Sequence, residues 1–345
     1  MAAARQLFTP VRLGELELAH RVVLAPLTRQ RASRDSLVPG SLAEAYYAQR
    51  ATPGGLLITE ATCISSEAIL DHGVPGLWSE AQVAGWRQVT QAVHRKGGLV
   101  VCQLWHTGRV AHGSFKDHPA VVDGRAPTVS ASDVTYEAQT RSTLSGDKLP
   151  YNQPRALRPD EMPRLIDDYR KAARNAKLAG FDGVELHAAH GYLLDQFLND
   201  GTNRRMDRYG GSIENRCRLM HEVLDALGES FSFARIGVRL SPHSDKTIKY
   251  YGTTDSDPDA LYAHAVQSLS RYGLAYLLLT EPRWFGGAHD TDFSKDPGLA
   301  MGLVNPAKFR NLYTGGALMG AGGFTPASAE QALRDGSYDV IGFGR

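Results

Sequence analysis

Eight apolar runs recur along the chain, each bounded by turn residues. They are VVLAPLT (22–28), GLLITEAT (55–62), GLVVCQLWH (98–106), DGVELHAA (182–189), RIGVRLSP (235–242), AYLLLTEP (275–282), ALMGAGGF (317–324) and YDVIGFGR (338–345). Hydrophobicity within a run is continuous rather than alternating, which marks strands buried on both faces. Between most of them the apolar positions fall three and four apart, as in 79–97, 158–180, 212–229 and 257–273. The second of these closes on Gly180 and the fourth on Gly273, where helix stops are expected. Alternating strands and helices predict a parallel sheet. Eight strands predict that the sheet closes into a single α/β domain, a (β/α)8 barrel over residues 1–345.

Two stretches break the repeat. Residues 107–157 follow the third run and are rich in Gly, Pro, Ser and Thr. So long a connection in a compact domain is usually functional, and a lid carrying a short hairpin over the barrel mouth is expected. The eighth run ends at Arg345, with no residues for a helix to cover its outer face. A chain ending there is expected to expose an apolar strip and to hold a phosphate weakly.

In such barrels the active site gathers where strands end and loops begin. The strand ends supply Pro26, Leu27 and Thr28; Ala61; Gln103 and Trp105; His187, His190 and Tyr192; Arg239; Gly322 and Gly323; and Gly344 and Arg345. The set is rich in hydrogen-bonding groups and poor in carboxylates, with Glu60, Glu185 and Glu281 read as structural. A metal site lacks a third ligand beside the two histidines, and no GxSxG elbow is present. AGGF (321–324) and GFGR (342–345) end the seventh and eighth strands, where barrels build phosphate sites from backbone N–H groups. They imply a phosphorylated ligand, with Arg345 adding a charged bond.

Composition narrows the class. Hydrophobic residues make up 42%, and 38 basic against 37 acidic residues leave a net charge of +1. That balance gives no field for nucleic acid or an anionic membrane. Cys63, Cys102 and Cys217 lie far apart without CxxC spacing, which excludes a disulfide framework and fits a reducing cytoplasm. No signal peptide or membrane span is read.

HAAHGYLLDQFLNDGTNRRMDRYGGSIENRCRL (187–219) resembles the signature of the Old Yellow Enzyme family of FMN-dependent ene-reductases. APLTR (25–29), QLWHTGRVAH (103–112), VRLSP (238–242) and AGGFT (321–325) are similar in the same order. The paired histidines, LWHTGRV and TEPR (280–283) are most similar to the plant-type 12-oxophytodienoate reductase branch. The resemblance implies an enzyme fed by NADPH or NADH that reduces the C=C bond of a small-molecule enone, as a monomer or homodimer. It implies flavin contacts from Pro26, Leu27, Thr28, Ala61, Gln103 and Arg239, and phosphate contacts from Gly323, Phe324, Gly344 and Arg345. It assigns the substrate carbonyl to His187 and His190, the proton to Tyr192, and the pocket wall to Trp105 and Thr28. Elementary chemistry agrees: an enone gaining hydride at Cβ develops an enolate oxygen, which two N–H donors would stabilise. A phenol, protonated at pH 7, can protonate Cα. The competing class is a flavin- or ligand-binding barrel with little turnover. A two-domain relative resembling 2,4-dienoyl-CoA reductase would need a cysteine cluster, which is missing here.

Overall fold

The computed structural model describes residues 6–125, 128–137, 140–242, 250–281 and 306–344. Eight strands form its frame: β1 (Val22–Leu24), β2 (Leu56–Ile58), β3 (Leu99–Trp105), β4 (Gly183–His187), β5 (Ile236–Leu240), β6 (Tyr276–Thr280), β7 (Ala317–Ala321) and β8 (Val340–Phe343). Each pairs in parallel with the next. The ring closes where Ile341 of β8 lies opposite Val22 of β1 and Phe343 opposite Leu24. All eight apolar runs thus become barrel strands, trimmed where their last residues turn into loops.

The helices are α1 (Ser41–Ala48), α2 (Glu80–His94), α3 (Met162–Leu178), α4 (Leu193–Leu198), α5 (Ile213–Gly228), α6 (Pro258–Leu269), α7 (Pro306–Leu312) and α8 (Pro326–Arg334). The four periodic stretches became α2, α3, α5 and α6. Their caps are explicit: Ser79 and Gln82 form a reciprocal capping box on α2, and the Asp257 carboxylate accepts the Ala260 N–H on α6. The left-handed Gly180 and Gly273 follow the ends of α3 and α6. The short α1, α4, α7 and α8 carry too few apolar repeats to stand out in the sequence.

Register explains the continuous runs. Inward residues such as Val23, Ile58, Val101, Leu278, Met319 and Val340 form one buried cluster. Outward neighbours such as Leu57, Val100, Leu104, Val184, Leu277 and Ile341 join a larger cluster with the helices. A hairpin of Val11–Leu13 and Leu16–Leu18 precedes the barrel and plugs its floor, adding Leu13, Leu16 and Leu18 to the inner cluster. The inside is therefore apolar at the bottom and polar at the top, where Gln103, Glu185, Arg239 and Thr280 lie buried.

The insertion after β3 contains an antiparallel hairpin of Thr140–Ser142 and Lys148–Pro150. Val129–Ser130 pair in parallel with Arg155–Ala156 at its base. Arg109, 2% exposed, pins it: its guanidinium donates to Val134 O at 2.6 Å and to Tyr251 O at 2.8 Å. Burial lowers that guanidinium to about 10, still charged at neutral pH.

Candidate active site

Three adjacent strands build one wall of the mouth. Strand alternation turns Gln103 and Trp105 of β3, Glu185 and His187 of β4, and Arg239 of β5 toward the same side. Glu185 lies opposite Gln103, and His187 opposite Arg239. The Gln103 amide donates to Glu185 at 2.6 Å, and the Tyr276 hydroxyl donates to the other carboxylate oxygen at 2.9 Å. Burial raises the Glu185 carboxyl, and the charge of Arg239 opposes that rise. The Arg239 Nε donates to Thr280 at 3.0 Å. Glu185 is thus a brace that orients Gln103 within reach of a cation.

Above this wall sits a ring cluster. Trp105 meets Tyr192 edge-on at 4.8 Å between centroids, and His187 meets Tyr192 at 5.1 Å and His190 at 5.3 Å. The Ala189 N–H donates to His187 Nδ1 at 3.3 Å. A neutral imidazole with Nδ1 accepting carries its proton on Nε2. Burial, then the charge of Arg239, pushes both His187 and His190 well below the usual histidine range, so both rings are neutral at pH 7. Burial, then the Tyr251 phenol, pushes Tyr192 well above the usual tyrosine range. Two neutral N–H carriers and a protonated phenol therefore share one small volume.

The turn between them is strained. His190 has φ +56° and Gly191 φ +77°, and left-handed backbone in a non-glycine residue costs about 1–2 kcal/mol. The His190 N–H donates to Ser241 Oγ at 2.8 Å. The Gly191 N–H donates to Asp195 Oδ2 at 2.7 Å. Burial pushes the Asp195 carboxyl up to about 7, against donors from Gly191, Asn199, Tyr262 and Thr253. An unfolded Asp titrates near 3.9. Between there and about 7 the folded chain keeps a proton that the unfolded chain has lost, so this group's contribution falls as pH rises through that window. Asp195→Asn is expected to flatten the pH–stability curve there, by roughly 3 kcal/mol between pH 5 and pH 8. Denaturant midpoints of both proteins at pH 5 and pH 8 measure it; an unchanged slope removes Asp195 as its cause.

The opposite rim comes from β1, β2, β7 and β8. Pro26 is buried, Leu27 is partly buried and Thr28 is exposed. Glu60, after β2, accepts the Arg29 and Gln30 N–H groups at 2.8 and 2.9 Å, folding the Thr28 loop toward the buried Ala61. Gly322 has φ +110°, and a Cβ there would lie 2.6 Å from Glu281 O. Gly323 follows at φ +73° and is exposed, and Phe324 leads into the capped N-terminus of α8. Successive amides beside a helix start suit a phosphate. Gly344 approaches Leu27, where a Cβ would lie 2.9 Å from its side chain. Arg345 lies outside the described residues. A planar ligand with an amide edge, a site for negative charge and a phosphate fits this donor set: Gln103, Arg239 and the Gly322–Gly323 pair.

The structure brings Gln103, Trp105, His187, His190, Tyr192 and Arg239 together, with Thr28, the Gly322–Gly323 pair and Gly344 at the other rim. Glu60 and Glu185, structural from the sequence, are braces: Glu60 holds the backbone that follows Thr28, and Glu185 holds Gln103. The sequence does not single out Asp195 and Gln196, polar positions within the apolar run that becomes α4, or Tyr251, which stands 5.5 Å from Tyr192 between ring centroids. Tyr136 and Tyr151 of the insertion, 5.1 Å apart, extend this aromatic wall.

The chain is similar to known proteins throughout its length. The family model of the NADH:flavin oxidoreductase / NADH oxidase family matches residues 6–345. The 12-oxophytodienoate reductase 1 of Oryza sativa subsp. japonica is 44% identical over 345 residues, 100% of this chain and 83% of that protein. The 12-oxophytodienoate reductase 2 of Arabidopsis thaliana is 40% identical over 339 residues, 98% of this chain and 84% of that one. The solved structure of morphinone reductase superposes with TM-score 0.84 at 43% identity, covering 98% of this chain and 85% of the other. That of the Old Yellow Enzyme homologue from Zymomonas mobilis gives 0.85 at 41%, covering 98% and 88%. No helix among the described residues is long and apolar enough to cross a membrane. The chain belongs to the NADH:flavin oxidoreductase / NADH oxidase family and is an FMN-dependent oxidoreductase.

Proposed function

We propose that this protein uses NADPH or NADH to reduce the C=C bond of α,β-unsaturated carbonyl compounds, with His187 and His190 holding the carbonyl oxygen and Tyr192 protonating Cα. One observation carries the reading: the His190 and Tyr192 rings sit with centroids 5.3 and 5.1 Å from that of His187, which places two neutral imidazoles and a protonated phenol together. FMN, when bound, supplies the hydride that arrives at Cβ. Gln103 would hold the polar edge of its ring system, Arg239 the negative charge of its reduced form, and Gly322–Gly323 with Gly344 its phosphate. Pro26, Leu27, Thr28 and Ala61 would border the ring, and Phe324 the phosphate.

The chain's own groups do the rest. His187, with its proton on Nε2, can donate to an oxygen whose charge grows as Cβ is attacked. His190 adds a second donor, on a ring whose plane is turned 80° from that of His187. Both stay neutral, so neither gives up its proton to the oxygen, and the enolate survives to be protonated at carbon. Tyr192 delivers that proton, and Trp105 fixes its ring. The 107–157 insertion acts as a lid, its Tyr136 and Tyr151 excluding water beside Tyr251. The reading extends to a cytoplasmic enzyme, monomeric or homodimeric, that engages neither nucleic acid nor membrane, supported by the charge balance and three buried thiols.

Anaerobic NADPH should bleach the bound flavin, and 2-cyclohexenone should restore its colour with release of the saturated ketone. Bleaching without restoration by any enone would leave the non-reducing barrel as the better reading. A second outcome tests the phosphate cradle. Gly323→Ala puts a side chain at a left-handed position costing about 1–2 kcal/mol, so FMN should bind about 5- to 30-fold more weakly. Titrating the apoprotein with FMN by fluorescence measures this; native affinity would move the phosphate elsewhere.

A further inference from the structure

We propose that Gln196 is a positioning residue for proton delivery, acting through the turn that carries His190 and Tyr192. This rests on the enone-reductase reading above. Gln196 is 0% exposed, and its amide is fully engaged. Its Nε2 donates to Gly191 O at 2.7 Å and to Thr107 O at 3.2 Å. Its Oε1 accepts the Arg109 N–H at 3.2 Å and the Ser130 hydroxyl at 2.9 Å. One side chain therefore joins the proton-donating turn, the loop leaving β3 and the base of the insertion.

The grip falls on the weakest link. Gly191 is the residue between His190 and Tyr192, and both His190 and Gly191 hold left-handed backbone. Such conformations persist only where the surroundings over-determine them. Here Asp195 takes the Gly191 N–H and Gln196 holds its C=O, so neighbouring residues of α4 hold both polar groups of one residue. The approach is close, since a Cβ on Gly108 would lie 2.2 Å from Gln196 Oε1. His187 needs no such device, because β4 pairs on both sides. Glutamine suits the role because two donors and an acceptor are required at once. Glutamate lacks the donors, and methionine of similar length offers neither.

The tests are Gln196→Met and the milder Ser130→Ala, which removes one of the two bonds to Oε1. Hydride arrival from NADPH and reoxidation by 2-cyclohexenone are followed separately by stopped flow, with the limiting rate split from enone affinity. Amide exchange across 188–194 is followed in FMN-free and FMN-loaded protein. Gln196→Met should slow the limiting reoxidation rate about 10- to 100-fold, in keeping with misplacements of about 1 Å. NADPH reduction should change less than about threefold, and exchange across 188–194 should quicken with or without FMN. Ser130→Ala should show the same split with a smaller loss, and it decides the matter if Gln196→Met does not fold. Native-like exchange in a folded variant overturns the grip. Faster exchange with an unchanged reoxidation rate reduces Gln196 to a structural residue. If enones fail to reoxidise the native enzyme, the enone reading falls alone, and exchange in FMN-free protein still decides whether Gln196 holds the turn.

Discussion

Tyr192→Phe is expected to keep its flavin, to be reduced by NADPH at close to the native rate, and to be reoxidised by an enone about 10² to 10⁴ times more slowly. The substitution isolates one atom. A phenylalanine ring keeps the edge contacts to Trp105 at 4.8 Å and His187 at 5.1 Å, so the pocket should retain its shape. The hydroxyl alone is lost, and with it the acid proposed to protonate Cα. Because burial raises Tyr192 well above its usual range, the native group stays protonated, and no alkaline limb from it is expected below pH 10. Rapid mixing of photoreduced enzyme with 2-cyclohexenone reads the step directly. A native rate in the variant would take Tyr192 out of the reaction, and Tyr251, its ring neighbour, would be the next acid to test.

Replacing His187 and His190 together with alanine should cost more, because it removes both donors proposed for the developing oxyanion. Loss of one such donor typically costs about 10²- to 10³-fold. Neighbouring donors do not add independently, so the double variant should fall somewhat short of the product of the singles. Phenolic ligands, which would offer an oxygen to the same two rings, should bind less tightly. The pH profile makes the argument sharper. Both imidazoles titrate below the usual histidine range, because burial and then Arg239 disfavour their cations. The native kcat/KM should therefore show no histidine limb between pH 6 and pH 8. A limb near pH 6.5 would mean that one ring ionises in the free enzyme, and the oxygen would then face an imidazolium rather than a neutral donor. The double variant reducing enones at the native rate would end the oxyanion role.

Two braces show why part of this site was hidden. Glu185 sits at an inward position of β4, yet in the one-dimensional pattern it is a lone charge inside an apolar run. Its use appears only when β3 and β6 bring Gln103 and Tyr276 to its two oxygens. Glu60 likewise serves residues 29 and 30, which reach it only because β1 and β2 are neighbours.

The eight strands, the main helices and the list of strand-end residues were legible in the amino-acid sequence because they depend on local rules. A strand packed on both faces must be apolar throughout, an amphipathic helix repeats every three or four positions, and a parallel barrel delivers all its strand ends to one rim. The N-terminal hairpin was not legible, since three-residue strands are too short to show a period. Neither was the side of His187 that keeps the proton, nor the neutrality of the two rings, nor the hold of Asp195 and Gln196 on Gly191. Those depend on the Ala189 N–H, on the charge of Arg239 one strand away and on which loops α4 meets. Such distances are set by packing and register, and no residue carries them in its own identity.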